Sequence, residues 1–253
     1  MADTILITGA SSGLGAEMAR QFATLGYDLA LCARRMENLV DLKREILAAH
    51  PDRRVEIRAL DVTDDEAVFE VFAAFRDDFG TIERIIVNAG LGKGQPIGTG
   101  RYDANRQTAM TNFVAALAQS EAAMEIFRAQ ESGHLVMISS MSAIRGLPRN
   151  LTTYAATKAG VAHLAEGLRA EFHGKPIDIT VLYPGYIASE MNARVARSGA
   201  QRTPMMTSTE KGVRSMVAAI EKKVASACVP PLPWAPMSLV MRYAPMPVYR
   251  RLI

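Results

Sequence analysis

A tyrosine and a lysine four residues apart are the side chains of this sequence best suited to acid–base chemistry. Tyr154 and Lys158 lie in a segment with helical apolar spacing, so both project from one face of the helix. An unperturbed phenol has a pKa of about 10, and a nearby ammonium group lowers that pKa toward working pH, where proton transfer is most efficient. The same spacing also occurs by chance on exposed helices. Ser140, which ends the preceding predicted strand, and Asn112, in the preceding long helix, can supply further polar groups near Tyr154.

A glycine-rich turn near the start of the chain has the composition of a phosphate-binding site. Residues 8–15 read Thr-Gly-Ala-Ser-Ser-Gly-Leu-Gly and join a predicted strand to a predicted helix. Glycines let the backbone turn tightly and approach a pyrophosphate, and the unpaired N–H groups of a helix N-terminus supply donors. Glycines in a strand-to-helix turn often only turn the chain, but beside an acid–base pair the motif indicates a dinucleotide-binding protein.

Short apolar strands alternate with helical segments along the chain. The predicted strands are residues 4–8, 28–33, 55–60, 82–88, 134–139 and 177–183, and the predicted helices are residues 13–25, 36–50, 64–79, 103–129, 153–172 and 209–224. This alternation predicts right-handed βαβ units, hence an α/β fold with a doubly wound parallel sheet flanked by helices in a single domain over residues 1–253. Ligands of such sheets bind beyond the C-terminal ends of the strands.

Composition excludes several classes of protein. A formal charge of +3 in a chain that is 22% charged leaves no long basic stripe, so nucleic acid is not an expected partner. The two cysteines lack metal-ligand spacing and the four histidines are scattered, so we expect neither a disulfide framework nor a metal. The first predicted strand begins within five residues of Met1, and no apolar run reaches the roughly 20 residues of a membrane span, which predicts a cytoplasmic protein.

The motifs together resemble those of the short-chain dehydrogenase/reductase family, and the resemblance covers nearly the whole chain. The motifs that carry it are Thr8-Gly9-x-x-x-Gly13-x-Gly15, Asp61, Asn88-Ala89-Gly90, Asn112, Ser140, Tyr154-x-x-x-Lys158 and Pro184-Gly185. The resemblance implies a Rossmann-like sheet of about seven strands. It also implies that hydride passes between a nicotinamide cofactor and a carbonyl or alcohol substrate.

The same resemblance implies a role for each site residue. Tyr154 is the general acid or base, Ser140 hydrogen-bonds the substrate oxygen, Lys158 holds the nicotinamide ribose and lowers the pKa of Tyr154, and Asn112 holds a water of the proton relay. The implied cofactor-binding residues are Gly9, Ser11, Ser12, Gly13, Leu14, Gly15, Arg34, Arg35, Asp61, Val62, Asn88, Ala89, Gly90, Tyr154, Lys158, Pro184, Gly185, Ile187 and Ser189. The interval from Ser140 to Tyr154 is one residue longer than is usual in the family, which leaves Ser142 as an alternative to Ser140.

The end of the second predicted strand indicates which nicotinamide cofactor is bound. An acidic residue at this position would bind the free ribose hydroxyls of NAD, but the sequence has Arg34 and Arg35 there. A guanidinium group offers a planar fork of donors to a 2′-phosphate, so NADP(H) is favoured. Arg34 is the better candidate because it follows the strand directly, although both arginines could simply lie at a solvated turn.

Two C-terminal segments remain open to interpretation. The family resemblance assigns residues 187–211 to a substrate lid. Residues 229–253 contain no acid and are rich in proline, methionine and aromatic residues. This composition is compatible with three alternative roles: a roof over the substrate pocket, a subunit interface, or a weak peripheral membrane contact. Relatives form homodimers or homotetramers through the long helices around Asn112 and Tyr154. A non-catalytic NADP-binding regulator on the same scaffold is the alternative to an enzyme.

Overall fold

Seven parallel strands form one sheet in the order β3-β2-β1-β4-β5-β6-β7. The computed structural model describes residues 2–92, 94–188 and 205–252. The strands are β1 (Thr4–Thr8), β2 (Asp28–Ala33), β3 (Val55–Ala59), β4 (Arg84–Val87), β5 (Gly133–Ile138), β6 (Ile177–Pro184) and β7 (Ser226–Val229). The order reverses between β1 and β4, which makes the doubly wound Rossmann-like arrangement, and a ligand crevice opens at that reversal. The predicted fold class, a Rossmann-like sheet of about seven strands, is confirmed, and β7 is the strand that the apolar runs of the sequence did not locate.

Apolar side chains alternate between the two faces of the sheet and build a core on each. On β1, Leu6 packs into one cluster while Ile5 and Ile7 pack into the other. The first cluster contains Phe72, Phe75 and Phe127, and the second contains Phe22 and Met216. Burial on both faces is why these strands read as continuous apolar runs rather than as alternating patterns.

Helices cover both faces of the sheet. They are α1 (Gly13–Thr24), α2 (Met36–Ala49), α3 (Asp65–Phe79), α4 (Tyr102–Ala109), α5 (Ala115–Gln130), α6 (Thr152–Glu171), α7 (Thr209–Glu221), α8 (Pro231–Tyr243) and α9 (Met246–Leu252). The sequence predicts one helix over residues 103–129, but the structure divides it with a π-helical turn at Met110–Val114. Apolar periodicity does not detect one extra residue in a turn, and such turns frequently mark functional sites.

The C-terminal segment is helical although the sequence analysis predicts no helix there. Its prolines discourage a helix assignment because proline lacks an N–H group. In α8, Leu232 has an extended backbone, with φ −103° and ψ 133°, so the regular helix follows it. Pro233 and Pro236 therefore lie in the first turn, where proline is tolerated.

A buried histidine lies at the N-terminal edge of the sheet, away from the crevice. Arg84 Nε donates to His134 Nδ1 at 3.0 Å, and His134 Nε2 lies 2.8 Å from Thr180 Oγ1. Thr180 Oγ1 donates to the Val224 carbonyl at 2.6 Å, so it accepts from His134 Nε2 and fixes a neutral imidazole. Burial, with the nearby Arg84 cation adding to it, lowers the pKa of His134 to about 3.

Because this histidine is neutral in the folded protein, we expect the protein to become less stable as the pH is lowered. An unfolded histidine titrates near pH 6.5, so between pH 6.5 and the folded pKa of about 3 the unfolded chain binds one more proton. The free energy of unfolding should therefore decrease by up to about 1.4 kcal/mol per pH unit from this group as pH falls below 6.5. Urea unfolding of the wild type and of His134→Asn, which keeps an acceptor for Arg84, measures the difference. Equal pH slopes for the two proteins would contradict the prediction.

Candidate active site

One cavity of about 960 Å³ at the C-terminal edge of the sheet contains most of the predicted site residues. Its lining includes Gly9, Ser11, Ser12, Gly13, Leu14, Arg34, Arg35, Asp61, Val62, Asn88, Ala89, Gly90, Ser140, Tyr154, Lys158, Pro184, Gly185 and Ile187. Gly15 and Asn112 do not line the cavity themselves but contact residues that do, Gly9 and Leu91 respectively. Ser189 and most of residues 187–211 lie outside the described residues.

The glycine turn forms the cradle that a dinucleotide phosphate needs. Gly9 and Gly13 have φ values of +65° and +55°, a left-handed region that favours glycine. A Cβ atom at Gly15 would lie 2.5 Å from the Gly9 carbonyl oxygen, so α1 packs directly under the turn. Within the described residues, Ser12 makes no side-chain cap bond and the first turn of α1 contains no acid, which leaves its N–H groups for an anion.

Both arginines after β2 line the cavity, and one of them is joined to the glycine turn. Arg35 Nη2 donates to Ser12 Oγ at 2.6 Å, which brings a cation to the N-terminus of α1. Arg34 is exposed and also lines the cavity. Asn38 Nδ2 donates to the Ser11 carbonyl at 3.2 Å, so the start of α2 is held against the turn. This side of the cavity is therefore positively charged.

The ends of β1 and β4 are tied together at the reversal of strand order. Asn88 Nδ2 donates to the Thr8 carbonyl at 2.9 Å, and Thr8 Oγ1 accepts from the backbone N–H groups of Asn88 and Ala89 at 3.0 and 3.1 Å. Farther along the cavity, Asp61 Oδ1 accepts from the N–H and Oγ1 groups of Thr63 at 3.1 and 2.8 Å. These bonds fix the floor of the cavity.

Asn112 supports the cavity wall from within the π-helical turn. Its Oδ1 accepts from Leu91 N at 2.6 Å, and its Nδ2 donates to the Leu91 carbonyl at 2.9 Å. A Cβ atom at Gly90 would lie 3.2 Å from Asn112 Oδ1 and 3.5 Å from Lys158 Nζ. Through these two hydrogen bonds Asn112 holds the loop after β4 against the π-helical turn between α4 and α5.

The serines after β5 have different partners. Ser139 Oγ donates to the Lys158 carbonyl at 2.8 Å and so anchors α6 to the sheet. Ser140 Oγ accepts from Ser142 N at 3.1 Å, and the Ser140 hydroxyl group is also near enough to Tyr154 to lower its pKa. Ser142 lines the cavity as well. Of the two serines that the sequence analysis gives as alternatives, Ser140 is the one whose hydroxyl group affects the pKa of Tyr154.

Burial controls the protonation of Tyr154 and Lys158. It raises the pKa of Tyr154, and the neighbouring Ser140 hydroxyl group opposes that shift. The Lys158 ammonium group is buried, donates to the Ile138 carbonyl at 2.8 Å, and has its pKa lowered to about 8. The sequence analysis predicts a lowered pKa for Tyr154 because it counts the ammonium group but not the cost of burying a phenolate. The structure gives the opposite direction.

Helix α8 contributes part of the cavity lining. Trp234, Met237 and Met241 line it from above, so this part of the C-terminal segment is a roof. The Trp234 ring meets the Tyr186 ring edge-on, with centroids 5.3 Å apart. Sequence reasoning named these apolar residues but could not place them, because only the tertiary fold brings α8 over the strand ends.

Arg145 fastens the roof to the loop that follows Ser140. Its Nη1 donates to the Met241 carbonyl at 3.0 Å and to the Ala244 carbonyl, at the negative end of α8. Its guanidinium carbon lies 4.3 Å from the centre of the Tyr249 ring, and Tyr249 Oη donates to the Gly146 carbonyl at 2.7 Å. The sequence analysis did not predict these contacts of Arg145, because nothing in the sequence links it to residues about a hundred positions away.

Gly185→Ala is expected to displace the roof. The added Cβ would lie 2.1 Å from the Trp234 ring, so the ring must move, at a cost of about 1–3 kcal/mol for overpacking. Thermal unfolding measures the loss, and Trp234→Leu in the same protein should recover part of it. Gly146→Ala is the control, because a Cβ there meets nothing within 4 Å. Equal unfolding midpoints for both glycine variants would contradict this packing.

Comparison with known proteins identifies the family. The family model described as short chain dehydrogenase matches residues 3–199. The chain belongs to the short-chain dehydrogenase family. An uncharacterized oxidoreductase of Mycobacterium tuberculosis is 51% identical over 247 residues, which is 98% of this chain and 96% of the relative. This short-chain dehydrogenase is accordingly an oxidoreductase.

Solved structures of the family share the fold. Levodione reductase is 26% identical with a TM-score of 0.80, and the match covers 89% of this chain and 94% of that protein. A short-chain dehydrogenase from Burkholderia phymatum in complex with NAD is 20% identical with a TM-score of 0.81, covering 95% and 92% of the two chains, and its likeness shows the fold alone.

Two further observations concern the described part of this short-chain dehydrogenase. It contains no helix long and apolar enough to cross a membrane. In the same residues, no group of three or more histidine, cysteine, aspartate or glutamate side chains is arranged to hold a metal ion.

Proposed function

We propose that this protein is an NADP(H)-dependent oxidoreductase that interconverts a carbonyl compound and a secondary alcohol, with Tyr154 as general acid and base. One observation carries the proposal: Tyr154, Ser140 and buried Lys158 lie in the same cavity as a glycine turn suited to a dinucleotide phosphate. The nicotinamide, when bound, supplies or accepts the hydride.

The protonation of the two residues suits reduction at neutral pH. The raised pKa of Tyr154 keeps its phenol protonated, so it can give a proton to the oxygen of a carbonyl that is being reduced. Ser140 is placed to hydrogen-bond the same oxygen. Lys158, with a pKa of about 8, carries a charge below that pH and can hold the ribose hydroxyls while favouring the phenolate after proton transfer. Asn112 keeps the neighbouring loop in position and, as the resemblance implies, holds a water of the proton relay.

The charges around the glycine turn support NADP(H) rather than NAD(H). Arg34 and Arg35 line the cavity where an NAD-binding protein of this fold would present an acid. Arg35 already lies against Ser12, beside the helix N-terminus that a pyrophosphate would occupy. We assign the adenine contact to Asp61 and Val62 and the nicotinamide border to Pro184, Gly185, Ile187 and Ser189.

The roof supports a lipophilic substrate. Trp234, Met237 and Met241 present a large and adaptable apolar surface in the cavity that also contains Tyr154. We infer that residues 187–211 complete the substrate site as a lid. We also infer a cytoplasmic homodimer or homotetramer that makes contacts through the long helices α5 and α6.

A panel of aldehydes and ketones of rising hydrophobicity tests the proposal. Purified protein should oxidise NADPH faster than NADH, with kcat/KM rising with the apolar size of the carbonyl compound. Tight NADPH binding without turnover on any carbonyl or alcohol would favour the non-catalytic regulator. Faster turnover with NADH would contradict the assignment of the two arginines.

A further inference from the structure

Helices α8 and α9 expose an apolar face on the side away from the cavity. Leu239, Tyr243 and Met246 are 61%, 74% and 56% exposed, and Leu232, Val240 and Val248 are exposed beside them. We call these six residues the outer face. The inner residues of the same segment, such as Trp234 and Tyr249, are buried. Scattered exposed apolar residues are ordinary, but a group on one short segment marks an interaction surface.

The charge of this segment is one-sided. From residue 222 to the end of the sequence there is no aspartate or glutamate, whereas Lys222, Lys223, Arg242, Arg250 and Arg251 occur. Arg242, Arg250 and Arg251 are exposed on the two helices that carry the outer face. Apolar side chains beside arginines, without acids, match the chemistry of an anionic lipid surface, where the apolar groups enter the interface and the cations meet lipid phosphates.

We propose that the outer face of α8 and α9 docks on the surface of an anionic lipid bilayer. The segment lies on the bilayer rather than crossing it, because α8 has 13 residues and a span needs about 20. Tyr243 suits this depth, since its ring is apolar and its hydroxyl remains in contact with water. The roof residues of α8 and the α8 residues of the outer face, Leu239, Val240 and Tyr243, then lie on opposite sides of that helix.

A second copy of this chain fits the outer face less well. In a two-fold symmetric interface the same patch meets itself, so a patch bordered by Arg242, Arg250 and Arg251 would face a second patch with the same three positive charges. The segment has no acid to compensate them. An anionic bilayer offers the opposite charge over its whole surface, so the charge pattern favours lipid as the occupant.

Co-sedimentation of the purified full chain with vesicles tests the proposal. The protein should bind vesicles that contain phosphatidylglycerol and phosphatidylcholine, bind vesicles of phosphatidylcholine alone much less, and dissociate as salt rises. Arg250→Gln combined with Arg251→Gln should weaken binding roughly five-fold for each charge removed. Leu239→Asp combined with Tyr243→Asp should abolish it.

Controls separate docking from general charge and from misfolding. Arg44→Gln combined with Arg76→Gln removes two exposed arginines of α2 and α3 and should leave vesicle binding unchanged. Thermal unfolding checks that each variant folds. The assay needs no turnover, so its failure is distinct from a failure of the proposed reaction.

Three results would overturn the proposal. The first is no binding to anionic vesicles, and the second is an equal loss of binding in the control variant. The third is self-association, measured by analytical ultracentrifugation, that Leu239→Asp combined with Tyr243→Asp removes while vesicle binding is absent. That last result would assign the outer face to a second copy.

Discussion

Tyr154→Phe is expected to lower kcat for reduction of a carbonyl substrate by roughly 10²–10⁴-fold, the usual contribution of a general acid or base. The substitution removes only the phenol oxygen of a side chain that lines the cavity together with Ser140 and Lys158. The affinity for NADPH should be nearly unchanged, because the glycine turn and the arginines are untouched. Steady-state kinetics and NADPH fluorescence titration measure the two quantities separately.

Tyr186→Phe is the matched control for this prediction. Tyr186 lines the same cavity and is partly exposed, so its variant also removes a phenol hydroxyl from the pocket. It should retain most of its kcat. If Tyr154→Phe kept most of its activity, or if both variants lost activity equally, the acid–base role of Tyr154 would be wrong.

Arg34→Gln is expected to weaken NADPH binding by roughly 10- to 100-fold and to leave NADH binding unchanged. The physical reason is the loss of charge-assisted hydrogen bonds to a 2′-phosphate, which contribute about 1.5–3 kcal/mol, whereas NADH has no phosphate there. Titration of both cofactors gives the ratio of the two affinities. Arg35→Gln should also weaken NADPH binding, since its guanidinium group lies against Ser12 at the phosphate turn.

Arg44→Gln controls for the loss of positive charge. Arg44 is exposed on α2 and pairs with Asp41, outside the residues that line the main cavity. Its variant should bind both cofactors as the wild type does. An equal fall in NADPH and NADH affinity for Arg34→Gln would show that the residue supports the fold of the turn rather than the 2′-phosphate.

Local patterns were sufficient to predict the sheet and the glycine turn. Strands such as Thr4–Thr8 are buried on both faces, so their sequences are unbroken apolar runs between helical segments. The turn was recognisable because only glycines at fixed intervals permit positive φ at Gly9 and Gly13 and close packing at Gly15. Both signals depend on residues adjacent in sequence.

The features that escaped prediction depend on contacts between distant segments. The π-helical turn around Asn112 adds one residue to a helix whose apolar pattern continues on both sides. The short strand β7 forms because β6 offers it an edge, with Leu182 paired to Ala227. The direction of the Tyr154 pKa shift depends on burial, which the spacing of Tyr154 and Lys158 does not reveal.

The glycine turn and the roof of the cavity lie in separate stretches of the sequence. The matched family region, residues 3–199, includes the glycine turn, Ser140 and Tyr154, whereas Trp234, Met237 and Met241 come later and contact that region through Arg145 and Tyr186. If the protein acts as proposed, changes in the roof would alter which molecule is accepted and leave the sheet and Tyr154 unchanged. A library of variants confined to α8 would then change substrate selectivity without changing residues 3–199.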